Sequence, residues 1–354
     1  MMPLVLKPNV ELLMLFKHIS IMKLSFCIPT YNRCQFLKKN INIIIGQIHD
    51  LSVEQEVEIL VSDNASTDDT ETVCKDIICK NKDISIEYHK NEKNEGPDWN
   101  FIKSMKLAHG EYSILFGDDD FLIENGLSEI LQLLDNTGIS IYYYNRICID
   151  NNGRYLNEQI MLDSSKERHI FDFTNEDSVR SFFCGIKGLR SLMSFISSVI
   201  YRTEIIEKFN FDERIIGTNY AFLFYWWKEL LSGGKLLYLN KSLVESTTSG
   251  STNCNYGDLV NRALVDYIGI MKICDLITDD KSIKMYFYKA INLAHPHVSL
   301  QELFIKDHKN FELKLKPVLL KTGRDMSEIN LIESTSSLKW FCKVIYYKFF
   351  KNLI

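Results

Sequence analysis

The sequence predicts an α/β protein with a helical C-terminal region. Three observations carry that prediction. Short apolar runs alternate with stretches of helical period from residue 22 to about 135, the polar clusters fall at the ends of the runs, and residues 258–354 alternate apolar and basic stretches at helical spacing. "LSFCIPT" followed by "YNR" reads as a buried strand entering a loop, and "QFLKKNINIIIGQI" as the helix after it. "VEILVSD" repeats the plan, with "TETVCKDIICKN" as its helix and Thr67 or Asp68 placed to cap it. "ISIEYHKN" is a third strand, "GPDWNFIKSMKLAHG" a third helix and "YSILFGDDD" a fourth strand, so the sheet is expected to be mostly parallel.

Past residue 135 the pattern changes. "ISIYYYNRICID" and "FISSVIYR" read as strands, 150–180 as polar and irregular, and an aromatic helix from about Tyr220 to Leu231 stops at Gly233-Gly234 ahead of a last strand. The expected organisation is an extension over 1–21, a main domain over 22–250 with halves 22–135 and 136–250, and the helical region 251–354.

Composition narrows the function. The chain has 354 residues, 46% hydrophobic and 25% charged with a net charge of −5, as an ordinary globular protein does, and that charge argues against a nucleic-acid partner. Nine cysteines without a C-x-x-C pair read as reduced thiols of a cytosolic protein. No apolar stretch reaches the roughly 18–20 residues of a membrane span. "VELLMLFKHISI" carries Glu11, Lys17 and His18 and lacks a cleavage site, so Met22 reads as the more natural start.

In such sheets ligands bind outside the carboxyl ends of the strands, where this sequence places Thr30 to Arg33, Asp63 to Asp69 and Asp118 to Asp120. Adjacent acids repel one another unless a cation or hydrogen bonds hold them, and hard carboxylate oxygens suit Mg²⁺ or Mn²⁺ together with phosphate. In isolation an Asp triplet also reads as a solvated turn. The apolar strand before it and "FLI" after it favour a built site.

"SFCIPTYNR", "VSDNASTDDT", "NEKNEGPDWN" and "FGDDDFL", in this order and spacing, resemble the family 2 glycosyltransferases of GT-A fold, which join a nucleotide-activated sugar to an acceptor hydroxyl. The likeness covers 22–135 well and 195–245 more loosely, and is strongest to bacterial surface-polysaccharide enzymes, abequosyltransferase-like proteins of O-antigen synthesis among them. It implies that Thr30, Tyr31 and Arg33 line the nucleotide, that Asp63 hydrogen-bonds the base, and that Asn94, Gly96 and Asn100 form the family's N-x-G-x-x-x-N segment. It makes Asp118 to Asp120 the family's D-x-D motif, with Gly117 in place of the first Asp of the longer D-x-D-D form. Asp119 is then the main ligand of Mn²⁺ or Mg²⁺, Asp120 the next, and Asp118 faces ribose or water.

The resemblance breaks at "FDERIIGTNYAFLFYWW". Thr218 and Asn219 stand where inverting members carry a Glu-Asp pair that supplies the general base, and Asn cannot take a proton as a carboxylate does. Asp212 and Glu213 are the nearest alternative bases, although the family uses "F-D-E" largely to shape the loop. Finally, "SLKWFCKVIYYKFFKNLI" (337–354) interleaves aromatics with lysines as an interfacial helix does, which suits an acceptor on a polyprenyl carrier; a terminal helix packed on the domain fits as well. A nucleotidyltransferase would show a glycine-rich basic loop that "CIPTYNRCQF" lacks. A sugar-nucleotide or polysaccharide-binding protein without turnover is the reading Asn219 motivates.

Overall fold

The computed structural model describes residues 22–247, 259–336 and 340. The extension 1–21 and, apart from Trp340, the aromatic-basic segment 337–354 lie outside the described residues. No helix among them is long and apolar enough to cross a membrane.

Ten strands form one sheet: β1 (Leu24–Thr30), β2 (Val57–Asp63), β3 (Ser85–Lys90), β4 (Tyr112–Leu115), β5 (Asp120–Leu122), β6 (Ile141–Ile149), β7 (Tyr155–Gln159), β8 (Arg168–Asp172), β9 (Val199–Arg202) and β10 (Lys235–Thr247). The main path runs β3-β2-β1-β4-β9-β6-β10-β5, with β7 added on β6 and β8 on β10. The expected parallel pairing holds for β3, β2, β1 and β4. β9 then runs antiparallel between β4 and β6, and the sheet is mixed from there on. Two expectations give way. The polar stretch 150–180 contains β7, β8 and a helix, and the acid triplet does not end a strand but leads into β5, which pairs with β10 with Asp120 opposite Ser246.

The labelled helices are α1 (Cys34–Leu51), α2 (Thr70–Lys80), α3 (Pro97–Lys106), α4 (Gly126–Leu133), α5 (Glu176–Cys184), α6 (Ala221–Leu231), α7 (Leu259–Ile277), α8 (Lys281–Ala294), α9 (His297–Lys306) and α10 (Met326–Glu333). Helical spacing in α1 puts Leu37, Ile41, Ile44 and Ile48 on one stripe, buried with α2 and α4 against Phe26, Ile28, Ile59 and Tyr142. Cys27, Leu60 and Tyr143 alternate to the opposite face, where α3, α5 and α6 cover them. Helix α6 is apolar on every side over its first seven residues, as a helix covered on every side must be, and Trp226 and Trp227 are fully buried. Helices α7 and α8 lie against it and residues of α9 and α10 extend the same buried cluster, so the C-terminal helices share a core with the sheet rather than building their own.

Candidate active site

The acid triplet lies at the carboxyl ends of β1 and β4, the rim the sequence singles out. Its backbone is held first. The Gly117 N–H donates to Ser197 Oγ at 2.8 Å, and Asn40 Nδ2 donates to the carbonyls of Gly117 (3.0 Å) and Asp120 (2.6 Å). A Cβ on residue 117 would stand 2.5 Å from Asp120 Oδ2, so only glycine lets the third carboxylate fold back beneath the turn. This explains locally why the first acid of the longer motif is missing.

Each acid then has its own environment. Asp118 is buried and accepts from Thr30 Oγ1 at 2.7 Å and pairs with Arg33 at 3.3 Å. Burial pushes its carboxyl up to about 7, against the pull of Arg33. Asp120 is buried on the Ser197 hydroxyl, and burial together with the negative charge of Asp119 raises its pKa well above the ordinary value. Asp119 is the more open of the three. Its Oδ2 takes the Arg33 guanidinium at 2.5 Å and the Thr247 hydroxyl at 3.1 Å. Arg33 is the N-cap residue of α1, and its side chain makes no capping bond, which leaves the guanidinium to reach both acids.

Arg33 thus pairs with Asp118 and Asp119, Arg146 acts on Asp120 through its charge, and burial drives Asp118 and Asp120 toward the protonated form. That is a set short of positive charge. Its donors are hard oxygens at a rim, which fit Mn²⁺ or Mg²⁺ with Asp119 as the accessible ligand and Asp120 behind it. Asp118 departs from the expectation of ribose or water: it faces Thr30 and Arg33. Thr30 departs too, being buried with its hydroxyl on Asp118 rather than open to a base.

The neighbouring predicted residues divide in the same way. Tyr31 is 43% exposed at the mouth of the loop, a free aromatic face. Asp63 is fully buried, with one oxygen on the Ser66 N–H (2.8 Å) and the other on the Tyr88 hydroxyl (2.5 Å); burial and then this bond to Asp63 raise the Tyr88 pKa. Asn94 accepts from the Gly96 N–H (2.9 Å) and from Asn64 Nδ2 (2.9 Å), and the Gly96 carbonyl accepts from the same amide at 3.2 Å. Asn100 is buried, with Ser62 bonded at both ends of its amide (2.8 and 2.9 Å). Asn94, Gly96 and Asn100 therefore shape the loop wall.

On the far side, Asp212 is bound by the Arg214 guanidinium at 2.6–3.2 Å and by its N–H at 3.0 Å, which hold its carboxyl down at about 2. A group that acidic is a poor proton acceptor. Glu213 is exposed. Thr218 is buried, and Asn219 is partly exposed with a left-handed backbone, φ 61°.

Four residues of this region escape a reading of the sequence. Asn40 and Ser197 are the braces of the triplet. Arg146 lies in β6 on the Phe195 ring (3.7 Å) and lowers the Asp120 pKa by its charge. A lone Arg in "IYYYNRICI" was the available signal. Asp98 lies in the quoted "EGPDWN", is buried, and accepts the N–H groups of Asn219 (2.9 Å) and Ala221 (3.1 Å). A cavity of about 470 Å³ among the C-terminal helices, lined by Lys289, His297 and Arg324, shares no residue with the acid rim.

Residues 25–192 match the family described as Glycosyl transferase family 2. The chain is 32% identical to the abequosyltransferase RfbV of Salmonella typhimurium over 78% of its own length and 81% of that protein's. It is 25% identical to the GalNAc(5)-diNAcBac-PP-undecaprenol beta-1,3-glucosyltransferase of Campylobacter jejuni over 90% and 97%. Among solved structures, that of S. aureus TarS 1-349 in complex with UDP-GlcNAc superposes with a TM-score of 0.56 at 18% identity, covering 85% of this chain and 79% of that one. The mannosyltransferase PcManGT of Pyrobaculum calidifontis, in complex with GDP-Man and Mn²⁺, gives 0.52 at 11% identity over 92% and 79%. Both establish the GT-A fold. With four ordered motifs on one rim and relatives matched along most of its length, the chain belongs to glycosyl transferase family 2.

Proposed function

We propose that this glycosyltransferase is metal-dependent and passes a sugar from a nucleotide-diphospho-sugar to a hydroxyl of a polyprenyl-linked bacterial surface glycan. The acceptor class rests on the names of the two relatives, one an abequosyltransferase and the other acting on an undecaprenol-linked substrate. The observation that carries the metal is the acid rim: three carboxylates with a single directly paired guanidinium, that of Arg33, and reached only at longer range by Arg146, with Asp118 and Asp120 driven toward neutrality by burial.

In this reading Tyr31 offers its exposed ring to the base. Asp63 serves the base by fixing the loop through Ser66 and Tyr88. Asp119 and Asp120 hold the cation, which when bound stabilises the negative charge of the departing diphosphate. Arg33 then turns its guanidinium from the acids to the phosphates, a bidentate partner it fits by shape. The loop 217–220 borders the acceptor. Glu213 is the better of the two candidate bases, because Asp212 is committed to Arg214. The protein works at the cytoplasmic face of the membrane, with peripheral contact through 337–354.

The test is nucleoside diphosphate release from UDP-, GDP-, CDP- and dTDP-sugars with Mn²⁺ or Mg²⁺ and a lipid-linked glycan extract. Release from one donor, tied to a glycan product, supports the proposal. Donor binding without release or transfer across the panel would leave a binding protein.

A further inference from the structure

We infer that Asp98 and helix α7 form a two-sided clamp that positions the 216–220 loop, which makes the C-terminal helices a working part of the acceptor pocket; this rests on the reading that the loop borders the acceptor. From the side of the nucleotide half, the buried Asp98 carboxylate reaches 121 residues along the chain. It gathers the N–H groups of Asn219 and Ala221 at 2.9 and 3.1 Å. From the opposite side α7 presses against the same turn. A Cβ on residue 269 would stand 2.3 Å from the Thr218 carbonyl oxygen and 3.0 Å from Tyr220 Cδ2, so Gly269 is what lets the helix approach this closely.

Side chains of α7 complete the grip. The Tyr220 hydroxyl donates to Asp266 at 2.7 Å, and Lys272 Nζ donates to the Ile216 carbonyl at 3.2 Å. Asp266 is itself held by His295 at 3.1 Å and Arg262 at 3.5 Å.

The backbone shows why a clamp is needed. Asn219 has a φ of 61°, and the left-handed region is strained for a non-glycine residue and is sustained only where surroundings over-determine it. Asn tolerates that conformation better than most residues. Thr218 closes the turn from within, donating to the Ile215 carbonyl at 2.6 Å and accepting from the Tyr220 N–H at 3.1 Å. The two residues that replace the family's Glu-Asp pair thus serve the shape of the loop. Asp98, Gly269 and Asp266 are positioning residues: Asp98 is buried beneath the turn and Gly269 has no side chain to offer a substrate.

The experiment compares full-length wild type with Asp98→Asn, Gly269→Ala and Tyr220→Phe. Three quantities are followed: amide hydrogen exchange over 217–221, affinity for the preferred nucleoside diphosphate with Mn²⁺, and transfer to a lipid-linked glycan extract. The clamp predicts exchange at Asn219 and Ala221 faster by about tenfold or more, since opening becomes local. It also predicts transfer lower by about tenfold or more through acceptor KM or kcat, because a shift near 1 Å misplaces an acceptor, while nucleotide affinity stays within about twofold. Tyr220→Phe moves in the same direction by less and decides the matter if Gly269→Ala does not fold. Unchanged exchange and transfer, or nucleotide affinity falling together with transfer, overturns the clamp. Absence of transfer by wild type would instead refute the proposed function, and the exchange data would still decide the clamp.

Discussion

The acid rim and the surroundings of the 211–221 loop are both rich in carboxyl groups, yet they are built on opposite principles. At the rim, charge is left over: Asp118 and Asp119 share Arg33, Asp120 has only the longer-range charge of Arg146, and burial holds Asp118 and Asp120 near neutrality. Around the loop Asp212 and Asp98 are spent, while Glu213 stands exposed. Asp212 is tied to Arg214, and Asp98 lies under backbone N–H groups from the turn. A surplus of like charge costs stability unless a ligand offsets it, so the rim is the part of the molecule prepared to receive something. The loop is prepared to stay where it is.

The contrast is most exposed to failure at Asp119. Asp119→Ala is expected to lower metal-dependent nucleoside diphosphate release by at least about a hundredfold, as loss of a ligand that stabilises the leaving group does, with the fold retained by circular dichroism. Retained release would move the chemistry away from the triplet. Next comes Gly117→Ala, whose Cβ would crowd Asp120 Oδ2 at 2.5 Å. We expect weaker Mn²⁺ binding and a stability loss of about 1–3 kcal/mol in thermal unfolding, the usual cost of overpacking. A variant as stable as wild type would remove the steric account of that glycine.

The pH dependence should sharpen the comparison. Asp118 titrates near 7 when folded and near 3.8 when unfolded, so between those values the folded chain holds a proton that the unfolded chain has lost. Metal-free stability therefore falls as pH rises across that window. A cation that needs the ionised acids should reverse this, giving a larger Mn²⁺-induced rise in Tm at pH 8 than at pH 5.5. An equal rise at both would place the ion elsewhere. The smallest effect is expected in the loop. Asp212→Asn should change kcat by less than about threefold and stability by less than about 1 kcal/mol, since its partner Arg214 is exposed. A collapse of kcat would restore Asp212 as the base.

Legibility in the sequence follows the range of the interactions. The run from β1 to β4 was readable because buried parallel strands are continuous apolar runs and α1 repeats its isoleucines at helical spacing. β7 and β8 were not, because "YLNEQ" is largely exposed and "RHIFD" mixes charged with apolar residues. β5 is three residues long and hides behind the acids. The site splits the same way. Arg33 and the three acids announce themselves by type and position, whereas Asn40, Ser197, Asp98 and Gly269 act on segments 77 to 123 residues away, or on backbone pressed against an absent Cβ. Thr30 and Asn100 were assigned to the nucleotide through the resemblance, and their side chains are bonded into the wall behind it.

The most direct test of the charge-deficient rim is the rate of nucleoside diphosphate release from the preferred donor, measured in EDTA and then across a Mn²⁺ titration. The account predicts release that is negligible in EDTA, saturates with Mn²⁺ and is lost in Asp119→Ala. Release in EDTA at the rate seen with Mn²⁺ would show that the protein's own guanidinium groups supply the positive charge, and would contradict the metal site.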